Sequence, residues 1–300
     1  MTRVQRSTGM DITILDGGTG QELVKRAGET ASPLWSVKVL AEQPELVKQL
    51  HGDYLAAGCD VITLASYAAT PSRLNRLNHG SDFERFQAAA IDAAIRARDE
   101  AGRGRIAGSL PPLTGDYRPE QRREPIAAKA EYDRIVEAQS GAVDLFLCET
   151  LPSVEEARIA TRAAVASGLP VWTSVTVSES DGSHLRSGEA LLAAAAAAVE
   201  EGASAILVNC SPPEEISVAM DILSTTTNAF GAYANGFTTI EALRKGAHVN
   251  SLEARKDLDP QSYADFARDW VNSGASVIGG CCEVGPAHIA AIVAALDERD

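Results

Sequence analysis

Three cysteines stand where two short apolar runs end. One closes Ala205-Ile206-Leu207-Val208-Asn209-Cys210; the other two are adjacent, in Ser276-Val277-Ile278-Gly279-Gly280-Cys281-Cys282. Thiolates are preferred ligands of zinc, at about 2.3 Å, and three protein ligands leave a fourth tetrahedral position for a substrate or water. Adjacent cysteines make an awkward disulfide, because bonding their sulfurs closes a strained small ring. The paired glycines let the backbone turn sharply and let another group come close. If both runs are strands of one parallel barrel, Cys210, Cys281 and Cys282 converge on one rim. Cys59 and Cys148 lack such a setting and read as small buried hydrophobes.

The elements that must bring the three together follow from hydrophobic patterning. Apolar runs that read as strands cover 12–15, 61–64, 106–109, 143–148, 171–176, 205–210, 229–234 and 276–280. Helical spacing fills most of the gaps, at 42–57, 83–101, 127–140, 154–167, 189–201, 263–273 and 287–296. Alternating strand and helix implies a parallel sheet, and eight such units imply a closed (β/α)8 TIM barrel in the α/β class. A doubly wound open sheet is the alternative. No Pro/Gly/Ser-rich linker splits the chain, so 1–300 is expected to be a single domain, with a flexible N-terminus at 1–11. In either fold the functional rim is the C-terminal end of the strands. Asp16, Glu149, Cys210, Cys281 and Cys282 all fall there. The charged, proline-rich stretch 112–125 is long for a connection and is expected to be a lid or binding loop.

Composition narrows the partners. The chain has 300 residues, 45% hydrophobic, with 27 basic and 41 acidic residues and a formal net charge of -14. That balance repels phosphate backbones, excluding nucleic acid as a partner, and draws in cationic small molecules. No apolar run is long enough to span a bilayer, and the start of the chain has no apolar segment of the secretory kind. Five cysteines, an odd number, are no disulfide framework, and the expected compartment is a reducing cytoplasm.

Other residues carry weaker signals. By itself Asp16, in Asp16-Gly17-Gly18-Thr19-Gly20, is an ordinary turn or capping residue, and Glu149 a surface carboxylate. The glycine-rich turn lacks the Lys-Ser/Thr ending of a P-loop and the spacing of a dinucleotide fingerprint. The five histidines form no close pair; His184, in a loop that can approach the rim, is the one to watch. Trp172 and Trp270 read as core, and Trp35 as a possible contact for a cationic group.

Asn209-Cys210 followed by Gly279-Gly280-Cys281-Cys282 resembles the zinc signature of the homocysteine S-methyltransferase family. Further pieces match in order: Leu15-Asp16-Gly17-Gly18, Ser66-Tyr67-Ala68-Ala69-Thr70-Pro71, Cys148-Glu149-Thr150 and the loop 181–188. The resemblance covers about residues 12–296. It implies a (β/α)8 barrel with Zn2+ on Cys210, Cys281 and Cys282, homocysteine as methyl acceptor and methionine as product. It implies that Asp16 and Glu149 hold the substrate's ammonium. Backbone N–H groups at Asp16, Gly17 and Gly18 are expected to cradle its carboxylate, and Asn235 to reach the thiol substrate.

The chemistry fits. A free alkyl thiol has a pKa near about 8.5, and coordination to zinc deprotonates it. The thiolate then attacks a methyl group on a cationic centre, and a neutral product leaves. A sulfonium donor such as S-methylmethionine is favoured, because the chain carries neither the cobalamin and folate modules of large methionine synthases nor a long betaine-type extension. After the seventh strand it reads Ala232-Tyr233-Ala234-Asn235-Gly236-Phe237, where the sulfonium-using pattern has a Tyr-Pro-Asn-like stretch. The alternatives are a betaine-type donor, another thiol or selenol acceptor, and a non-catalytic zinc or redox sensor on the same scaffold. A hydrolase or lyase using metal-bound water would want His and Asp ligands that this rim lacks.

Overall fold

Eight parallel strands carry the rim. They are β1 (Thr13–Ile14), β2 (Val61–Thr63), β3 (Arg105–Leu110), β4 (Leu145–Leu151), β5 (Val171–Val175), β6 (Ala205–Asn209), β7 (Phe230–Tyr233) and β8 (Val277–Ile278). The computed structural model describes residues 11–28, 34–113, 117–226, 228–245 and 252–297. The sheet order is β1-β8-β7-β6-β5-β4-β3-β2, and every pairing is parallel. A parallel bridge between Leu15 and Val61 joins the two ends, so the sheet closes on itself. This is the (β/α)8 barrel, and the open-sheet alternative falls. The flexible segment expected at 1–11 lies outside the described residues except for Asp11, as does His248.

Side chains alternate along each strand, and the alternation decides what faces the barrel axis. Leu15, Val61, Ala107, Leu145, Leu147, Trp172, Ala205, Leu207, Tyr233 and Val277 form one buried inner cluster. Their strand neighbours Phe146, Cys148, Ile206, Val208, Ala232 and Ile278 face outward into the larger core beneath the helices. One step of two further up, the inward positions become Ser109, Glu149, Ser174 and Asn209. An apolar plug therefore gives way to a polar mouth at the C-terminal end of the strands, where barrels of this kind carry their sites. Trp172 and Trp270 are core residues, as expected.

Strand β4 departs from expectation. It was expected to end at Cys148 with Glu149 beyond it, but it runs on to Leu151, with a register shift between Cys148 and Leu151. Thr150 sits there at φ 60, an uncommon conformation for a β-branched residue. Two short helices, Ser36–Glu42 and Pro71–Arg76, were also not expected. Both are less than two turns long, too short for periodicity to be legible.

One buried group makes stability depend on pH. His51, on the helix Pro44–Ala56, is fully buried, and neither ring nitrogen has a hydrogen-bond partner. Burial lowers its pKa to about 4. A depressed histidine pKa costs nothing above the unfolded value of about 6.5; stability is lost as pH falls from there towards 4. The full penalty is about 3 kcal/mol. His51→Leu is expected to flatten the acid limb: the variant should lose less stability than the parent between pH 7.5 and 4.5 in urea unfolding.

Candidate metal centre

The coordinating atoms of Cys210, Cys281 and Cys282 all lie within 4.8 Å of one another. Three sulfurs at about 2.3 Å from one tetrahedral ion stand about 3.8 Å apart, so the trio fits a single small soft cation with no large movement. Among the described residues it is the only cluster of His, Cys, Asp or Glu side chains so disposed. Without an ion the three share one charge. Hydrogen bonds from Cys281 and Cys282, and then from Tyr117, hold the Cys210 sulfur well below the usual thiol range. Hydrogen bonding to that same sulfur, together with burial, pushes Cys281 well above it, and Cys282 is likewise raised. A dication would replace the two remaining protons. Cys148 and Cys59 pack in the helix layer, where burial pushes both thiols up, and they stay small hydrophobes as expected.

Backbone bonds fix the cysteine pair against the neighbouring strand exits. Cys281 N–H donates to Ala234 O at 2.8 Å, Gly236 N–H to Cys282 O at 2.8 Å, and Gly280 N–H to Asp16 O at 3.0 Å. The turn after β8 is thus tied to the exits of both β7 and β1. The Tyr263 hydroxyl locks the same corner, accepting from Ala234 N–H at 2.9 Å and donating to Gly279 O at 2.8 Å. On the other side Cys210 adopts φ 49, which turns its side chain off the strand. Asn209 holds the counterpart bend in β4. Its amide donates to Thr150 Oγ1 at 2.8 Å, and its oxygen accepts from Thr150 N–H at 2.9 Å and Ser174 Oγ at 2.7 Å. Left-handed Thr150 is therefore held by the Asn209 side chain, and left-handed Cys210 by its N–H to Tyr233 O at 3.2 Å and by Thr176 Oγ1 donating to its carbonyl at 3.3 Å, strain of the kind that persists only where its surroundings enforce it.

The two acids are built differently. Asp16 is 4% exposed; its carboxylate accepts from Thr63 N–H at 2.7 Å and Thr63 Oγ1 at 3.0 Å. Desolvation outweighs these donors and raises its pKa to about 7. Glu149 is half-buried and accepts from Ser109 Oγ at 2.6 Å. Behind Ser109, its N–H donates to the buried Gln139 side chain, which bonds in turn to Ser66 and Gln87.

The expected three-donor cradle at Asp16, Gly17 and Gly18 is not free. Asp16 N–H already donates to Val61 O and Gly18 N–H to Val284 O. The glycines serve close packing instead: a Cβ on Gly17 would sit 2.1 Å from Val284 O, and one on Gly18 2.4 Å from Cys281 O. Asn235 is buried beside this corner, and its Nδ2 has no hydrogen-bond partner.

The sequence profile described as homocysteine S-methyltransferase matches residues 13–296. The Escherichia coli (strain K12) homocysteine S-methyltransferase is 33% identical over an aligned length of 309, covering 95% of this chain and 95% of its own. Homocysteine S-methyltransferase 4 of Zea mays is 30% identical, over 96% of this chain and 90% of its own. This chain belongs to the homocysteine S-methyltransferase family. The metallated form of the Escherichia coli homocysteine methyltransferase MmuM superposes with a TM-score of 0.80 at 30% identity, covering 96% of this chain and 97% of that one.

In this member of the homocysteine S-methyltransferase family, two further site residues lie in loops the sequence singled out, 112–125 and 181–188, without being marked individually. Tyr117 places its hydroxyl 2.9 Å from Cys210 Sγ, and the Arg186 guanidinium lies 4.9 Å over its ring centroid. His184, the histidine expected to approach the rim, instead pairs with Asp181 on the surface. Its loop reaches the site through Arg186, two residues on, whose Nη2 donates to Cys210 O at 3.4 Å. A tyrosine in a charged loop and an arginine in a polar one have no spacing that marks them; only the fold brings them to Cys210.

Gly18 gives a prediction for this family member. Because the missing Cβ is replaced by the backbone of Cys281 and Cys282, Gly18→Ala must displace the cysteine pair. The variant is expected to fold but to bind a metal ion at the three-cysteine site at least about tenfold more weakly in a competition titration with a chromophoric chelator.

Proposed function

We propose that the protein transfers a methyl group from a cationic donor, a sulfonium such as S-methylmethionine, to the thiol of homocysteine, with Zn2+ as its cofactor on Cys210, Cys281 and Cys282. The observation that carries this reading is the three-sulfur cluster at the mouth of the barrel. An all-sulfur donor set of this size suits zinc, and three protein ligands leave one position for a fourth sulfur. Zinc bound there would supply the Lewis acidity that removes the thiol proton near neutral pH.

The chain's own residues do the rest. Asp16, desolvated and held by Thr63, and Glu149, aimed by Ser109, are the acceptors for the substrate's ammonium. The unpartnered Nδ2 of Asn235 is a donor waiting for an acceptor. Trp35 and Tyr67 meet edge to face with ring centroids 6.1 Å apart, and Trp35 Nε1 is buried without a partner. Such an aromatic pair suits a cationic donor, whose charge disappears as the methyl group leaves. Alignment of two substrates is the main contribution of the fold.

Reduced, zinc-replete protein incubated with homocysteine and a panel of donors tests the reading. Methionine is expected with S-methylmethionine. Failure of every sulfonium donor while betaine supports turnover would overturn the donor assignment, and methyl transfer from none would overturn the activity.

A further inference from the structure

Tyr117 touches a ligand sulfur from outside the cysteine trio. Its hydroxyl oxygen lies 2.9 Å from Cys210 Sγ, in hydrogen-bond contact. It is 6% exposed, so water does not compete for that bond. The neighbouring contacts strengthen it as a donor. Arg186 stacks its cationic guanidinium on the phenol ring, setting positive charge beside the hydroxyl that meets the sulfur. The same guanidinium is anchored from behind, with Nε donating to Thr176 Oγ1 at 3.1 Å and Nη2 to Cys210 O at 3.4 Å. Thr176 Oγ1 donates to that carbonyl as well, at 3.3 Å. Sulfur and carbonyl of one residue are thus gripped together, at a backbone position with φ 49.

Resting on the metal reading of Cys210, Cys281 and Cys282, we infer that Tyr117 is a positioning residue which donates a hydrogen bond to the Cys210 thiolate and tempers its donation to the ion, with Arg186 as its brace. The electrostatic need is plain. Three cysteine thiolates outweigh the charge of a dication, and a fourth sulfur from the substrate adds to the excess. A hydrogen bond to a charged sulfur draws density away from it. With one ligand held back, an ion there would be a stronger Lewis acid toward the substrate thiol, favouring its binding and deprotonation, and Cys210 itself would compete less well for the methyl group. Partners that orient and tune metal ligands from outside the coordination sphere commonly change affinity or activity by about 10–100-fold.

Cobalt(II) substitution makes the Cys210 sulfur visible, through thiolate-to-cobalt charge-transfer absorption in the near ultraviolet. A donated hydrogen bond lowers the sulfur lone pairs and moves that band to shorter wavelength. Tyr117→Phe removes the hydroxyl and keeps the ring under Arg186, so the band is expected at longer wavelength than in the parent protein. Site-specific 3-fluorotyrosine at position 117, a stronger donor, is expected to move it to shorter wavelength. Opposite shifts from two near-isosteric changes are not produced by a general loosening of the fold. A cobalt-loaded parent whose band stays put in both variants would overturn the role of Tyr117 alone. A parent protein that shows no sulfur-to-cobalt band would overturn the metal reading and this inference with it.

Discussion

Replacing Cys281 by serine is expected to abolish methyl transfer and to strip the protein of its metal. A serine hydroxyl stays protonated near neutral pH and is a poor zinc ligand, whereas a thiol is deprotonated on binding. Zinc held by four ligands gains about 10–16 kcal/mol, or about 3 kcal/mol per ligand, so one loss should weaken binding by on the order of a hundredfold or more. Activity falls further, because the remaining two sulfurs no longer fix where the substrate sulfur sits. The internal control is Cys148→Ala. Cys148 faces the helix layer, one residue below Glu149 and on the opposite side of the strand, and its loss should leave zinc content unchanged. Zinc content by atomic emission and methionine formation by chromatography check both variants.

Asp16→Asn is expected to raise the KM for homocysteine by about a hundredfold while leaving the fold intact. Removing one partner of a buried charge pair costs about 2–5 kcal/mol, and the substrate ammonium would lose that partner. The amide can replace the carboxylate locally: its oxygen takes the Thr63 N–H, and its NH2 donates to Thr63 Oγ1, whose proton is free to turn away. A pH effect follows from the same side chain. With burial raising the Asp16 pKa to about 7, the carboxylate is progressively protonated below neutrality. Cation recognition needs the charged form, so kcat/KM for homocysteine should fall as pH drops through 7, and Asp16→Asn should lack that limb. The sign for stability is opposite. A carboxyl whose folded pKa lies above its unfolded value penalises the fold when ionised, so the substrate-free protein should gain stability from this group as pH falls from 7 towards 4. Binding and stability therefore pull apart at one residue.

The sequence carried the barrel because each strand is short, apolar and followed by a helix, a local pattern that closure does not alter. It carried the three cysteines because thiols at two strand ends, beside glycines, have few other uses. Glu149 was placed at the rim for the right reason but in the wrong element, since the irregularity at Thr150 that extends β4 has no local signature. That the N–H groups of Asp16 and Gly18, expected to be free for a cradle, already donate to Val61 O and Val284 O was not legible, because those partners are distant in sequence. Tyr117, Arg186, Ser109 and Tyr263 act through side-chain contacts across elements. Each is an ordinary residue for its own segment. Their roles exist only once β6, β8 and the loops after β3 and β5 share one rim.

X-ray absorption at the zinc edge of the reduced, zinc-loaded protein, before and after homocysteine, tests the central claim most directly. One zinc per chain with three sulfur neighbours, becoming four when homocysteine is added, is the predicted result. A zinc that keeps the same sulfur count with homocysteine present, or that binds equally well when Cys210 is replaced by alanine, would contradict the account.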